Sequence, residues 1–209
     1  MLSAAIPPLI PTGTELTALL IVVCFSAGLN VYATVAMLGL LGRAEALALP
    51  PSLHLVENWF VIAVCGALFL VEFVGDKVPL FDLLWNAMHT FVRVPVAALL
   101  TYAATAQLPE WERLFATLLG AAIALAAHGG KTAARAAVAH SPEPFSNIAL
   151  SLSEDAAVIF LMWFVTRHAY AAAAISLAAL ALIVIMIRAV VRAMRDLFGS
   201  AENALTKSA

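Results

Sequence analysis

The stretch Thr17–Leu41, TALLIVVCFSAGLNVYATVAMLGLL, contains no charged side chain, and the charges that bracket it are Glu15 and Arg43. About 20 consecutive apolar residues suffice for a helix to cross a bilayer, so this stretch reads as a first transmembrane span. Working outward, the same pattern recurs. Asn58 to about Val78 is a second span, Leu83 to Gln107 a third and more polar one, and Leu114 to Gly130 a charge-free fourth. Pro144 to Thr166 is apolar apart from Glu154 and Asp155, and His168 to Ile187 is a clean sixth whose helix continues through Arg195.

Composition agrees. Of 209 residues only 11 are Lys or Arg and 13 are Asp or Glu, and 64% are apolar. At 11% charged, against about 25% for a soluble domain, the chain lacks the polar residues to cover a soluble surface. A net charge of −2 without a basic cluster also excludes nucleic-acid binding. The expected fold is all-α: a polytopic membrane helix bundle of about six transmembrane helices in a single domain, 1–209. It divides into an N-terminal tail (1–14), a first half (15–107), a second half (108–198) and a C-terminal tail (199–209). The lipid bilayer is its expected partner. Small-residue faces such as Gly39-Leu40-Leu41-Gly42 permit a homo-oligomer. No cofactor is indicated, and Cys24 and Cys65 read as packing residues inside spans.

Basic residues set the expected orientation. With six spans and both termini cytoplasmic, the inner segments hold Lys77, Arg93, Lys131, Arg135, Arg188, Arg192, Arg195 and Lys207, and the outer loops hold Arg43, Arg113 and Arg167. Trp59, Trp85, Trp111 and Trp163 fall near span ends, where aromatic belts sit. A bacterial cytoplasmic membrane is the expected location. The first residues, lacking a basic segment and broken by Pro7, Pro8 and Pro11, do not read as a signal peptide.

Ionisable residues inside spans carry the functional lead, because each is costly in hydrocarbon and calls for a partner. In the fifth span, ten Leu, Ile, Phe and Val residues contribute about −3 to −6 kcal/mol to insertion, whereas Glu154 and Asp155 together cost about 5 to 7 kcal/mol. The near-zero sum means that this helix depends on its neighbours. Asn147, Ser151 and Glu154 share one helical face at i, i+4, i+7, with Asp155 at its edge. The turn Ser141-Pro142-Glu143-Pro144-Phe145-Ser146 ahead of it leaves free N–H groups, either a plain capped start or an anion site. In the third span Asp82, Asn86, His89 and Arg93 form one polar stripe, with Pro95 expected to kink the helix beside it. Glu72 and Asp76 stack at the end of the second span, next to Lys77. His128, Lys131 and Arg135 share a face where Gly129-Gly130 is expected to interrupt the fourth. The acids Glu72, Asp76, Asp82, Glu154 and Asp155 thus oppose the bases His89, Arg93, His128, Lys131 and Arg135. Buried ion pairs add little net stability over apolar packing, so so many of them point to a polar cavity. Arg188, Arg192 and Arg195 read as a headgroup anchor.

Three segments are longer than any helical stripe requires: Val71-Glu72-Phe73-Val74-Gly75-Asp76-Lys77-Val78-Pro79 with Asp82 to Phe91; Ala127-His128-Gly129-Gly130-Lys131; and Ser141 to Asn147 with Ser153-Glu154-Asp155. With Gly28-Leu29-Asn30-Val31-Tyr32, they resemble the bacterial membrane family catalogued as domain of unknown function 4126, from about Ala18 to Arg167. The resemblance implies a multi-span membrane protein. It also makes the ionisable stripes coincide with the family's signature residues, which weighs against packing as their sole role.

A break at Gly28-Leu29-Asn30 and another at His128-Gly129-Gly130, each followed one span later by paired acids, suggests a 3+3 inverted repeat with broken helices, as in secondary transporters. Three functions are then open. In a transporter or channel for a small polar solute or ion, Glu154 or Asp155 would carry a proton or cation, with Lys131, Arg93 and His128 as charge partners or anion ligands. In a structural or assembly protein the charges would pair only with one another, for example Arg93 with Asp82. In a membrane-embedded enzyme acting on lipid headgroups, His89, Glu72, Asp76 and Glu154 would be metal ligands, although no HExxH or CxxC spacing supports it.

Overall fold

The computed structural model describes residues 13–77, 79–138 and 144–207. Among them every regular element is helical: α1 (Gly13–Leu29), α2 (Val31–Arg43), a 3-10 turn (Pro51–Glu57), α3 (Trp59–Gly75), α4 (Pro79–Ala104), α5 (Glu110–Val138), α6 (Pro144–Phe164) and α7 (Ala169–Lys207). The helices from α3 onward fall close to the second to sixth expected spans. Thr17–Leu41 does not form one continuous helix.

Asn30 is the reason. It alone is extended, at φ −151° and ψ 102°, between two helices. Its N–H closes the last turn of α1 on Ser26 O at 2.8 Å, and its own carbonyl accepts from Thr34 N at 3.1 Å, starting α2. The side-chain Oδ1 caps α2 by accepting from Ala33 N at 3.0 Å, the role for which Asn is among the preferred residues. The chain therefore turns sharply with both backbone groups of Asn30 still bonded, one to each helix. Both arms of the turn lead to the same end of the bundle. Thr14 Oγ1 at the start of α1 lies 3.0 Å from Tyr170 OH at the start of α7. Glu15 and Leu47 line one cleft of about 540 Å³ with Thr166, Arg167, His168 and Tyr170. Beyond α2, Arg43 donates to Glu57 O at 3.0 Å, and Ser52 reaches Ala103 O at the end of α4. We call this the upper end. The expected first span is thus a helical hairpin with its tip at Asn30.

Helices α3 to α7 run alternately down and up. α3 descends beside α2, α4 ascends, α5 descends, α6 ascends and α7 descends. At about 1.5 Å per residue, α4 and α6, with 26 and 21 residues, are each at least 30 Å long. By length and apolarity alone, Glu110–Arg135 within α5 and Ala169–Ala189 within α7 qualify as spans, and the 3-10 turn with α3, bent by 60°, makes a third. α5 continues through Gly129 and Gly130 without interruption, so the second break of the expected inverted repeat is not there. Gly130 instead admits Ile183 of α7, which a Cβ would strike.

α1 is apolar on every side, as a helix enclosed by others must be, and it touches α2, α4, α5, α6 and α7. Its approach to α5 depends on Gly28, where a Cβ would collide with the Ala124 carbonyl and the Ala127 methyl. Cys24 is buried and faces Thr101 on α4, and Cys65 is half-buried. The outward faces carry large apolar side chains: Phe60 and Leu70 on α3, Phe115 and Leu118 on α5, Leu182 and Ile185 on α7. Inside lie Glu72, Asp76, Arg93, Lys131, Arg135 and Asp155, each at most 5% exposed. Charges within and hydrocarbon without is the inverse of a soluble domain, and it identifies a membrane helix bundle. Trp59, Trp111 and Trp163 are exposed at the upper ends of α3, α5 and α6, where the bilayer interface would lie.

Candidate functional site: a buried charge cluster at the hairpin tip

Four helices and the hairpin tip converge in the lower half of the bundle. Glu72 and Asp76 come from the last turn of α3. His89 and Arg93 lie one turn apart on α4. His128, Lys131 and Arg135 share a face of α5, and Ser151, Glu154 and Asp155 share one of α6. These members of the stripes read from the sequence are all buried.

The cations and carboxylates interlock. The Arg93 guanidinium pairs with Glu72 Oε1. The Lys131 ammonium stands 3.4 Å from Glu72 Oε1, 3.3 Å from Asp76 Oδ2 and 3.5 Å from Glu154 Oε2. One nitrogen of Arg135 is 2.7 Å from both Asp76 Oδ2 and Glu154 Oε2. The tip adds backbone acceptors. Lys131 donates to Leu29 O at 3.1 Å and Arg93 to Gly28 O at 3.4 Å, so the carbonyls at the C-terminal end of α1 face two positive charges. That is the favourable arrangement for a helix C-terminus.

The histidines fill the edges. Arg93 Nη1 donates to His128 Nδ1 at 2.9 Å. A guanidinium is only a donor, so His128 here is the neutral Nε2–H tautomer, which donates to Thr90 Oγ1 at 2.7 Å. His89 Nδ1 donates to Trp85 O at 2.7 Å, and its Nε2 lies 3.0 Å from Tyr32 OH on α2. Of the four groups considered as metal ligands, Glu72, Asp76 and Glu154 are therefore engaged by cations and His89 by a carbonyl and a phenol. Among the described residues, no group of three or more His, Cys, Asp or Glu side chains is placed to hold a metal ion.

Asp155 stands apart. Its Oδ1 accepts from Asn30 Nδ2 at 2.9 Å, and Oδ2 has no hydrogen-bond partner, although the residue is 4% exposed. Among the described residues, none of the three cations Arg93, Lys131 and Arg135 pairs with it, and they face three other carboxylates. The cluster so counted holds one more carboxyl group than cations.

The side chains of Asp82, Asn86 and Asn147 lie outside the described residues, as does the turn before α6 where an anion site was considered. Among the described residues Arg93 pairs with Glu72, and the expected Arg93–Asp82 pair lies outside them. Arg188, Arg192 and Arg195 are exposed on α7, away from the cluster. Sequence reasoning noted the break at Asn30 but did not place it in the site, and it passed over Tyr32, Thr90 and the carbonyls of Gly28 and Leu29. A lone Asn after Gly-Leu inside an apolar run is the signal that marks the tip.

The family model described as Domain of unknown function (DUF4126) matches residues 17–189. The chain belongs to this family. The DUF4126 match takes in the hairpin from Thr17 onward and every member of the cluster, in agreement with the resemblance read from the signature segments. No curated protein and no solved structure matches the chain.

Proposed function

We propose that the chain is a transporter or channel for a small ion, in which Asp155 takes up and releases the carried proton or cation. The observation that carries this reading is the position of Asp155: buried, bonded to the hairpin tip through Asn30, and without a cation of its own. Intramembrane carboxyls of this kind mark ion and proton pathways. Helices broken near mid-membrane mark the sites of many transporters. Glu154, held by Lys131 and Arg135, is the less available of the two acids considered for this role.

In this reading the chain crosses the membrane five times, and the hairpin enters from the upper face and returns to it. The exposed arginines of α7 support a cytoplasmic lower end in this reading. The start of α1 then faces the opposite side, in place of two cytoplasmic termini. The test is flux in proteoliposomes under an imposed proton or monovalent-cation gradient. The wild-type protein should conduct, and Asp155→Asn should lower flux at least about tenfold while eluting as a folded species. Equal flux in the two proteins removes Asp155 from the role.

A second reading, a structural protein locked by ion pairs, is favoured by the fact that Arg93, Lys131 and Arg135 each hold a carboxylate. It requires Arg93→Glu with Glu72→Arg to regain the stability that either change alone loses, and no flux in any gradient.

A further inference from the structure

Seven hydroxyls in or next to the helices behave alike. Those of Thr17, Thr34, Thr101, Thr105, Thr117, Thr132 and Ser176 each bond the carbonyl four residues earlier. This is the ordinary way for Ser or Thr to satisfy itself inside a helix. Ser26 and Ser151 do not. Both are 0% exposed, and the oxygen of each has no partner. A buried hydroxyl left unsatisfied is destabilising, and here both flank the same contact. Ser26 precedes Asn30 by four residues on α1 and Ser151 precedes Asp155 by four on α6, so each lies one turn away on the face of its neighbour. α1 descends while α6 ascends. Ser151 is therefore below the Asn30–Asp155 contact and Ser26 above it.

We infer that this seam binds a monovalent metal cation of sodium type, seated between Asp155 Oδ2 and Ser151 Oγ, with Ser26 as the next oxygen on its path. The inference rests on the transport reading in taking Asp155 as the carrying group, and it specifies what is carried. The donors are oxygens, which suit hard cations. The charge is that of one carboxylate without a paired cation, which a single positive charge balances and a divalent ion would exceed. Ser151 supplies a neutral oxygen one turn away, and water fills the remaining positions. Above Ser26 the seam is closed by Val22, Val158 and Met162, all fully buried, so the described seam ends there in apolar packing.

The probe is sodium chloride against choline chloride at equal ionic strength and fixed pH, read as the thermal unfolding midpoint of the purified protein. Sodium should raise the midpoint of the wild type in a saturable manner. Asp155→Asn should abolish the effect, and Ser151→Ala, a change that removes only the hydroxyl, should raise the half-saturating concentration by about tenfold. The absence of a sodium-specific shift, or a shift unchanged in both variants, overturns the inference. Flux separates this from the transport reading. A flux that follows a proton gradient, needs Asp155 and ignores both sodium and Ser151→Ala overturns the sodium site and leaves transport standing. A sodium shift that needs Asp155, in a protein that conducts under no gradient, keeps the site and overturns transport.

Discussion

Glu154 and Asp155 are neighbours in sequence with opposite surroundings. Glu154 answers two cations, whereas Asp155 answers an amide. Their amide variants should therefore diverge. Glu154→Gln withdraws a charge that Lys131 and Arg135 share, and breaking one side of a buried pair costs about 3–5 kcal/mol. Asp155→Asn keeps an oxygen for Asn30 and strands no cation, so it should cost less than about 1.5 kcal/mol. Chemical unfolding in detergent micelles checks both, and a larger loss for Asp155→Asn than for Glu154→Gln would contradict this assignment of partners. The stripes themselves were legible in the sequence, because charges at i, i+3, i+4 and i+7 in apolar helices have nowhere to go but inward. The pairing within them was not. Arg93 pairs with Glu72, a choice that follows from how α3 packs beside α4, which no periodicity contains.

The hairpin is the element on which the cluster depends. A single extended residue lets α1 deliver its last carbonyls to Arg93 and Lys131, while α2 starts from the cap of Asn30 and carries Tyr32 to His89. Asn30→Ala removes the cap, worth about 0.5–2 kcal/mol, and leaves Asp155 Oδ1 without its donor. We expect a stability loss of about 2–4 kcal/mol on adding that unpaired buried acceptor, together with loss of flux. A thermal melt followed by circular dichroism measures the first. A variant as stable as the wild type would mean that the tip does not depend on Asn30. The helices from α3 onward were readable from apolar run length, although α5 runs from Glu110 to Val138 where Leu114 to Gly130 was expected. The hairpin was not, because 25 uncharged residues fit one straight span as well as two shorter helices, and only the contacts at Thr14, Leu47 and Tyr170 show that both arms rise to one end. The converse error arose at Gly129-Gly130, where glycine marks a close approach of α7 rather than a break.

At the scale of the molecule, five long helices and one hairpin place three connections at the upper end, between α2 and α3, α4 and α5, and α6 and α7, and send α7 out of the lower one with its arginines exposed. Gly13 and the last turns of α7 accordingly lie at opposite ends, and the hairpin tip reaches the buried charges from above. Both the proposed ion path and the proposed sodium site require this arrangement. Sided labelling tests it most directly. In a protein without Cys24 and Cys65, single cysteines at Thr14 and Glu45 are reacted with a membrane-impermeant maleimide applied to one face of sealed vesicles. The hairpin predicts that both positions react from the same face and that Arg195→Cys reacts only from the other. Labelling of positions 14 and 45 from opposite faces would mean that α1 and α2 together cross the membrane, and would contradict the account.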